Sequence, residues 1–440
     1  YIFAKQQGGK MRLRIEDTDK ERSKPEHEQY IYDSMKWLGL EADGEVFVQS
    51  KRTDIYQKKL KQLIEAGYAY VSKEEQKEVP GPDQKKLRSE VIRFKNPNVK
   101  ITFNDLIRGE ITFDTTDLGD FVLAKSLDEP LYHLTVVVDD MEMGVTHIIR
   151  GEDHISNTPR QILIQQALGA PQPIYAHLPL ILATDRSKLS KRKHGESVAT
   201  LYYRDQGYLP EALINFMALL GWNPGTDQEI FSLSELIEKF DISKVQKGGA
   251  IFDITKLQWL NKEHMSKMDQ VLFGQEVLAR IPEKLKSAPT FSERFPAVLP
   301  LIKERISYFG EVGTMAEEGE FDYFFISPSF IGENEKAKLA SILPPEKLRK
   351  DKIVTKENTA TILKKIMEIL TVLDGSSWQS ESIKAALWPY AEEQGRGLVL
   401  WPMRYVLSAR EKSPDPFMLA AILGKDETLT RLANAVKALV

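Results

Sequence analysis

His177-Leu178-Pro179-Leu180-Ile181-Leu182 runs into the turn Ala183-Thr184-Asp185-Arg186 and on into Lys188-Leu189-Ser190-Lys191-Arg192-Lys193-His194-Gly195. An apolar, strand-like run is thus followed at once by a basic loop. That loop sets four cations, a hydroxyl and a glycine in eight positions. Lysines are point charges on long flexible stems, and a loop of them at a strand's end suits phosphates. Moving a phosphoryl or nucleotidyl group is mostly positioning and charge stabilisation, which such a loop can supply. A solvated basic patch has the same composition, so the surroundings must decide.

Upstream of the loop, Thr146–Arg150 reads as a strand. Thr158-Pro159 opens a helix carrying Ile162, Leu163, Ile164, Ala167 and Leu168, closed by Gly169, and Tyr175–Leu182 is the next strand. Strand, helix, strand and a ligand loop make half of a doubly wound α/β domain. The start of the chain shows the other half. Tyr1–Lys5 reads as a helix tail stopped at Gly8-Gly9. Met11, Leu13 and Ile15 alternate with Arg12, Arg14 and Glu16, the period of a half-buried strand. Helices are predicted over Pro25–Trp37 and Thr53–Ala66, with a capping box at Ser23-Lys24-Pro25-Glu26, and a strand over Tyr68–Val71. Ser72–Glu90 is polar and reads as a loop. Val91–Phe94, Val99–Phe103, Glu110–Phe113 and Phe121–Ser126 then read as strands, and Tyr132–Met143 as a helix. From Leu209 on the pattern is helical, with breaks at Pro328, Pro344-Pro345, Asp374-Gly375 and Pro414–Pro416.

In open α/β sheets ligands bind at the carboxyl ends of strands. Two charged groups stand there. Arg150 ends its strand and suits a carboxylate, which Arg grips with two parallel hydrogen bonds; the alternative is an ion pair with Glu152 or Asp153. Glu16, with Asp17 and Asp19, ends the first strand; the alternative is an acidic turn leading into the next helix.

Lys188-Leu189-Ser190-Lys191-Arg192 resembles the Lys-Met-Ser-Lys-Ser signature of class I aminoacyl-tRNA synthetases, in the variant of the glutamyl-tRNA synthetases. Leu13-Arg14-Ile15-Glu16-Asp17-Thr18-Asp19, Ile149-Arg150-Gly151-Glu152-Asp153-His154 and Asn157-Thr158-Pro159-Arg160-Gln161 are similar to blocks of that family, in the same order. Gly249-Ala250-Ile251-Phe252-Asp253 and Leu257-Gln258-Trp259-Leu260-Asn261 extend the resemblance, which covers nearly the whole chain and is strongest before Asn261. It implies an α/β, doubly wound Rossmann-type catalytic domain with a β-rich insertion, followed by all-α stem-contact and anticodon-binding domains. The implied segments are 1–71 and 131–208 for the two catalytic halves, 72–130 for the acceptor-end-binding insertion, 209–290 for the stem-contact domain and 291–440 for the anticodon-binding domain.

The resemblance also implies roles. Lys188, Ser190, Lys191 and Arg192 form the catalytic loop. Asp153, His154, Ile181, Lys188 and Lys191 face ATP, Ile181 through its backbone. Glu16 receives the α-ammonium of L-glutamate, Arg150 holds a carboxylate, and Tyr132 and Val136 complete the pocket; Tyr132 alone would read as a core aromatic. Arg404, Ser413 and Pro414 lie by the anticodon of tRNA(Glu). Mg²⁺ is expected with ATP. The family's His-x-Gly-His-like turn is not in this sequence and would precede Tyr1; the other reading is a catalytically crippled relative. Glutaminyl-tRNA synthetases share the catalytic half but carry a β-barrel C-terminal region, which the helical pattern here argues against. Charging of tRNA(Gln) as well, or tRNA binding without catalysis, stays open.

Composition limits the alternatives. The net charge of −4 does not announce a nucleic-acid binder, yet a local basic stripe is what meets phosphates. There is no cysteine, which removes disulfides and any Cys-based zinc knuckle. No apolar run approaches the length of a membrane span. A cytoplasmic monomer with no membrane partner and no zinc is expected.

Overall fold

The computed structural model describes residues 1–19, 23–74, 90–330, 335–349 and 353–440. Residues Tyr1–His264 form one compact unit and Met265–Val440 a second.

The first half of the chain runs α1 (Ile2–Gln6), β1 (Arg14–Ile15), α2 (Pro25–Leu38), β2 (Phe47–Val48), α3 (Thr53–Glu65) and β3 (Ala69–Lys73). Five strands follow: β4 (Glu90–Phe94), β5 (Lys100–Asp105), β6 (Gly109–Asp114), β7 (Phe121–Ser126) and β8 (Glu129–Pro130). Then come α4 (Tyr132–Glu142), β9 (His147–Gly151), α5 (Thr158–Leu168), β10 (Ile174–Leu178), β11 (Ile181–Leu182) and α6 (Lys191–His194). The series closes with α7 (Thr200–Asp205), α8 (Pro210–Leu219), α9 (Leu233–Lys239), β12 (Ala250–Ile251) and α10 (Ile254–Ser266).

Parallel pairing defines the α/β core. β1 pairs with β2, β10 with β9 over five residues, and β11 with β12, all parallel. α3, α4 and α5 pack together, with Tyr56, Leu60 and Leu63 meeting Leu134, Val137, Val138, Ile162 and Ile164 in one buried cluster. The spacing of Tyr56, Leu60 and Leu63 puts them on one helix face. α4 is buried from Leu134 through Asp140, as expected of a helix apolar on every side. Its buried Asp139 is compensated by Tyr56 Oη at 2.7 Å, Arg52 Nε at 2.8 Å and Gln49 Nε2 at 2.9 Å. Removing any one donor would leave part of a buried carboxylate unmatched. Gly39 and Gly169 end α2 and α5 in the left-handed conformation that glycine adopts without steric cost.

The strands between the two halves divide between two sheets. β3, β4, β7 and β8 form an antiparallel sheet, whereas the β5–β6 hairpin joins β10 and β9 in the order β6-β5-β10-β9. Four sequence expectations need correction. The capping box at Ser23 does not form: the cap position is Lys24, with no side-chain bond, because Pro25 holds the preceding residue extended. The strand expected over Met11–Ile15 is paired only at Arg14–Ile15, since its partner β2 is two residues long. The run Tyr175–Leu182 is two strands, broken at Pro179, which has no N–H to donate. Ser72 and Lys73, expected in a loop, end β3, and residues 75–89 of that loop lie outside the described residues.

In the second unit no strand occurs among the described residues. Its long helices are Phe291–Arg305, Lys356–Val372, Ser380–Gln394, Arg396–Ser408 and Lys425–Leu439. Leu363, Ile366, Leu370, Ile383, Leu387, Val399 and Val406 are fully buried among them. Gly397 is there for space: a Cβ on it would lie 2.8 Å from the Leu348 carbonyl oxygen. Backbone cannot swing aside as a side chain can. Gly397→Ala is therefore expected to destabilise the protein by about 1–3 kcal/mol, the usual cost of overpacking. Urea titration followed by circular dichroism measures it, and an unchanged midpoint would mean the helix shifts freely. No helix among the described residues is long and apolar enough to cross a membrane.

Candidate active site

The carboxyl ends of β1 and β9 each deliver one charged side chain. Glu16 follows β1 and is partly exposed beside a cleft of about 350 Å³. It does not stand alone. Arg14 reaches its Oε1 from Nη2 at 3.0 Å and Nε at 3.2 Å, and gives Nη1 to Asp140 Oδ1 at 2.8 Å. Burial pushes the Asp140 carboxyl up, and Arg14 opposes that shift. A guanidinium shared by two carboxylates fixes the first of them in place, because its planar fork leaves few orientations.

Arg150, in β9, is not part of the ion pair its neighbours offered. Glu152 pairs with Arg108 at 2.6 Å and Asp153 with Lys188 at 2.7 Å. Arg150 instead donates Nε to His177 Nε2 at 3.2 Å and Nη2 to Thr158 Oγ1 at 2.9 Å. Both partners are neutral acceptors, so the charge of Arg150 is held but not neutralised.

Tyr132 opens α4 and Val136 follows one turn later on the same face, buried. The Tyr132 hydroxyl lies 3.3 Å from His154 Nδ1, which is also 3.2 Å from Asn157 Nδ2. Burial pushes the Tyr132 phenol up; Arg150 and Gln161 pull it down, and Glu16 raises it further. Glu16, Tyr132, Arg150 and His154 are thus brought to one place. Gln161 and His133 belong there too and were not foreseen from the sequence. Gln161 is buried, its amide making no close hydrogen bond beyond its approach to the Tyr132 hydroxyl, and Nδ1 of His133 is buried without a partner. Burial, with the nearby Arg160 and Arg150, lowers His133 to about 4, so its ring is neutral. Buried polar atoms left unmatched are costly, and they mark where a polar ligand or water would be welcome. The sequence signals for Gln161 were its place in the block Asn157-Thr158-Pro159-Arg160-Gln161 and its position one turn after Thr158.

The basic loop is tied to this site through Asp153. Its carboxylate takes Lys188 Nζ, a bond that holds it below the usual carboxylate range. Lys188 also bridges back to Leu182, and the Leu189 N–H donates to the Ile181 carbonyl. Ser190 stands at the N-cap of α6, Lys191 is its first residue, and Arg192 is exposed. Lys191 pairs with Glu196 at 3.0 Å, both well exposed, and Lys193 with Asp185 at 2.7 Å. Exposed pairs of this kind are weak and exchange readily for a stronger anion.

Arg404, Ser413 and Pro414 lie in the second unit. Arg404 donates Nη2 to the Glu411 carbonyl at 2.7 Å and stacks on Trp401 at 4.8 Å. Ser413 Oγ accepts from Ser408 Oγ at 3.2 Å. Trp401 is half-buried and gives its indole N–H to the Ser341 carbonyl, and one of its faces is taken by Arg404. Among the described residues no group of three or more His, Asp or Glu is placed to hold a metal ion.

These features have counterparts elsewhere. Residues 1–89 and 82–259 match the family model of class I tRNA synthetases (E and Q), catalytic domain, and residues 275–436 match an anticodon binding domain. A glutamate–tRNA ligase of Carboxydothermus hydrogenoformans is 37% identical over 474 residues, spanning 99% of this chain and 94% of that protein. One from Francisella tularensis is 36% identical over 469 residues, spanning 100% and 94%. The crystal structure of a glutamate tRNA ligase from Elizabethkingia meningosepticum, in complex with its amino acid, superposes with a TM-score of 0.82 at 31% identity, covering 100% of this chain and 95% of that one. Identity at this level over the full chain, with two family models matched in order, leaves one assignment: the chain belongs to the glutamate–tRNA ligases, among the class I aminoacyl-tRNA synthetases.

Proposed function

We propose that this chain activates L-glutamate with ATP and transfers it to the 3′ end of tRNA(Glu). The observation that carries this reading is the convergence of Glu16, Tyr132 and Arg150 beside a lysine loop anchored by Asp153. Glu16 takes the substrate α-ammonium and Arg150 a carboxylate, so only a zwitterion of the right length satisfies both. An α-carboxylate oxygen attacks the α-phosphorus of ATP. The bond to the bridging oxygen breaks, pyrophosphate leaves, and glutamyl-adenylate remains. A terminal ribose hydroxyl of the tRNA then attacks the glutamyl carbonyl, and AMP departs. No protein nucleophile is required. Lys188 and Lys191 stabilise charge on the phosphorus and on the departing pyrophosphate, Ser190 and Arg192 shape the loop, and Asp153, His154 and the Ile181 backbone face the nucleotide. Mg²⁺ would accompany the ATP phosphates and would supply further charge neutralisation there. Asp153, Asp185 and Glu196, beside the loop, are each already paired with a lysine, which suits an ion carried by phosphate. Charging assays on purified tRNA(Glu) and tRNA(Gln) test the reading: glutamyl transfer to tRNA(Glu) is expected, and none to either would overturn it.

The helical second unit reads the anticodon in this proposal, through Arg404 and the Ser413-Pro414 turn. Unstacked bases are recognised by mixtures of stacking and hydrogen bonds. Arg404→Ala is expected to cost about 1–3 kcal/mol in tRNA use, with glutamate and ATP binding unchanged. The comparison is kinetic, between native tRNA(Glu) and an anticodon-substituted tRNA. An equal loss on both would make Arg404 a backbone contact, and no loss on either would move the anticodon site elsewhere.

A further inference from the structure

A chain of three side chains runs from a fully buried carboxylate to Arg150. Asp105, at the end of β5, is 1% exposed, and His177, in β10, is 0% exposed. Asp105 Oδ2 lies 2.6 Å from His177 Nδ1, and His177 Nε2 lies 3.2 Å from Arg150 Nε. An arginine Nε can only donate, so His177 Nε2 must present its lone pair. The ring proton is then on Nδ1, where the Asp105 carboxylate accepts it. Thr158 Oγ1 completes the cradle, 2.9 Å from Arg150 Nη2.

We infer that Asp105 and His177 are positioning residues that hold Arg150 in its substrate-binding orientation by dictating which nitrogen of His177 carries the proton. This rests on the reading of Arg150 as the partner of a glutamate carboxylate. With Nε and Nη2 engaged, the remaining N–H groups of the guanidinium have one direction left to point. A ring protonated on Nε2 would set an N–H against the Arg150 N–H and turn the guanidinium away.

The surroundings of Asp105 sharpen the inference. Oδ1 accepts the backbone N–H groups of Arg108 at 2.9 Å, Ile107 at 3.0 Å and His177 at 3.3 Å. Burial alone would raise this carboxyl, but those bonds and the one to His177 hold it below its ordinary value, so it stays ionised. In Asp105→Asn the three N–H groups would keep the amide oxygen where Oδ1 was. The amide nitrogen would then face His177 Nδ1 as a donor, and the ring would have to carry its proton on Nε2. An isosteric change thus installs the wrong tautomer, as the Asp-to-Asn change in the Ser-His-Asp triad does.

The same chain gives a pH dependence. The charged groups facing His177 are Asp105 from β5, Arg108 from the following turn and Arg150 from β9. Burial first, then the two arginines, push the imidazole below its ordinary value, against Asp105. The neutral ring therefore prevails at neutral pH and is protonated only on the acid side of the ordinary imidazole range. Glutamate binding is expected to weaken on that acid side.

Three measurements test this, each on the full chain with tRNA present. In ATP–pyrophosphate exchange, Asp105→Asn is expected to raise the glutamate KM by about 10–100-fold at every pH, with the ATP KM unchanged. His177→Gln, whose amide oxygen can accept from Arg150 but does not titrate, is expected to keep a near-normal glutamate KM at pH 8 and to lose the rise on the acid side. Nitrogen NMR of labelled histidine should find Nδ1 protonated in the wild-type protein. A normal glutamate KM in Asp105→Asn, an unaltered acid limb in His177→Gln, or an Nε2-protonated ring in the wild type would each overturn the inference. The wild-type spectrum decides it even where a variant does not fold. If Arg150→Ala itself leaves the glutamate KM unchanged, the underlying reading of the pocket fails; if that variant is impaired and Asp105→Asn is not, only the positioning inference fails.

Discussion

Lys191→Ala is expected to slow glutamyl-adenylate formation by roughly 10²–10³-fold, the loss seen when one preorganised charge-stabilising donor is removed. Glutamate affinity should barely change, because Lys191 lies on the loop and outside the Glu16–Arg150 pair. Its only ion pair, among the described residues, is the exposed one with Glu196. Such pairs contribute little to folding, so the variant should remain folded and the loss should be in rate. Single-turnover formation of adenylate, at saturating ATP and glutamate, is the measurement. A normal rate would remove the loop from the mechanism.

Arg150→Ala and Glu16→Ala are each expected to weaken glutamate use by about 2–4 kcal/mol, since each leaves one charge of the substrate unmatched in a partly desolvated pocket. Their signatures differ. Arg150→Ala also removes the donor shared by His177 Nε2 and Thr158 Oγ1, which still have each other at 3.3 Å, so a small drop in thermal stability should accompany it. Glu16→Ala releases the Arg14 fork, which keeps Asp140, so its effect should be confined to the substrate. Arg150→Lys should rescue little, because a point charge cannot reproduce two parallel bonds. ATP affinity, measured separately, should hold in all three. Normal glutamate KM and kcat in both alanine variants would show that the pocket lies elsewhere.

The residues that end elements were legible because punctuation is local. Gly169 stops α5 where the sequence said it would, and Thr53 and Thr158 start α3 and α5. Arg150, Glu16 and Lys188 were legible as charges at strand ends and in a basic loop. What was not legible is partnership across the sheet. Asp105 looks like the polar end of a hairpin strand and His177 like the first residue of an apolar run. Only parallel pairing of β5 with β10, at Tyr175 and Asp105, makes them neighbours. Periodicity reports which face a side chain takes and carries no information about which strand lies alongside. Gln161 was hidden for a similar reason: a glutamine on a helix reads as solvent-facing until its burial is seen. The break at Pro179 was in plain view, and the lack of an N–H should have divided that strand.

The placement of the β5–β6 hairpin on β10 also sets a timetable. Its own strands pair within fourteen residues, Lys100 with Asp114 at the widest, so the hairpin can close as soon as it leaves the ribosome. Asp105 and His177 are 72 residues apart. At a synthesis rate of about 5–20 residues per second, roughly 4–14 s pass before the second appears. Throughout that interval one edge of β5 offers unpaired N–H and C=O groups to any passing strand, and its carboxylate must remain in water. Slow codons between positions 105 and 177 would lengthen the wait, and a chaperone bound over that window would shield it. Translation speed is therefore expected to affect the yield of folded enzyme through a stretch that includes α4 and β9, the very elements that carry Tyr132 and Arg150.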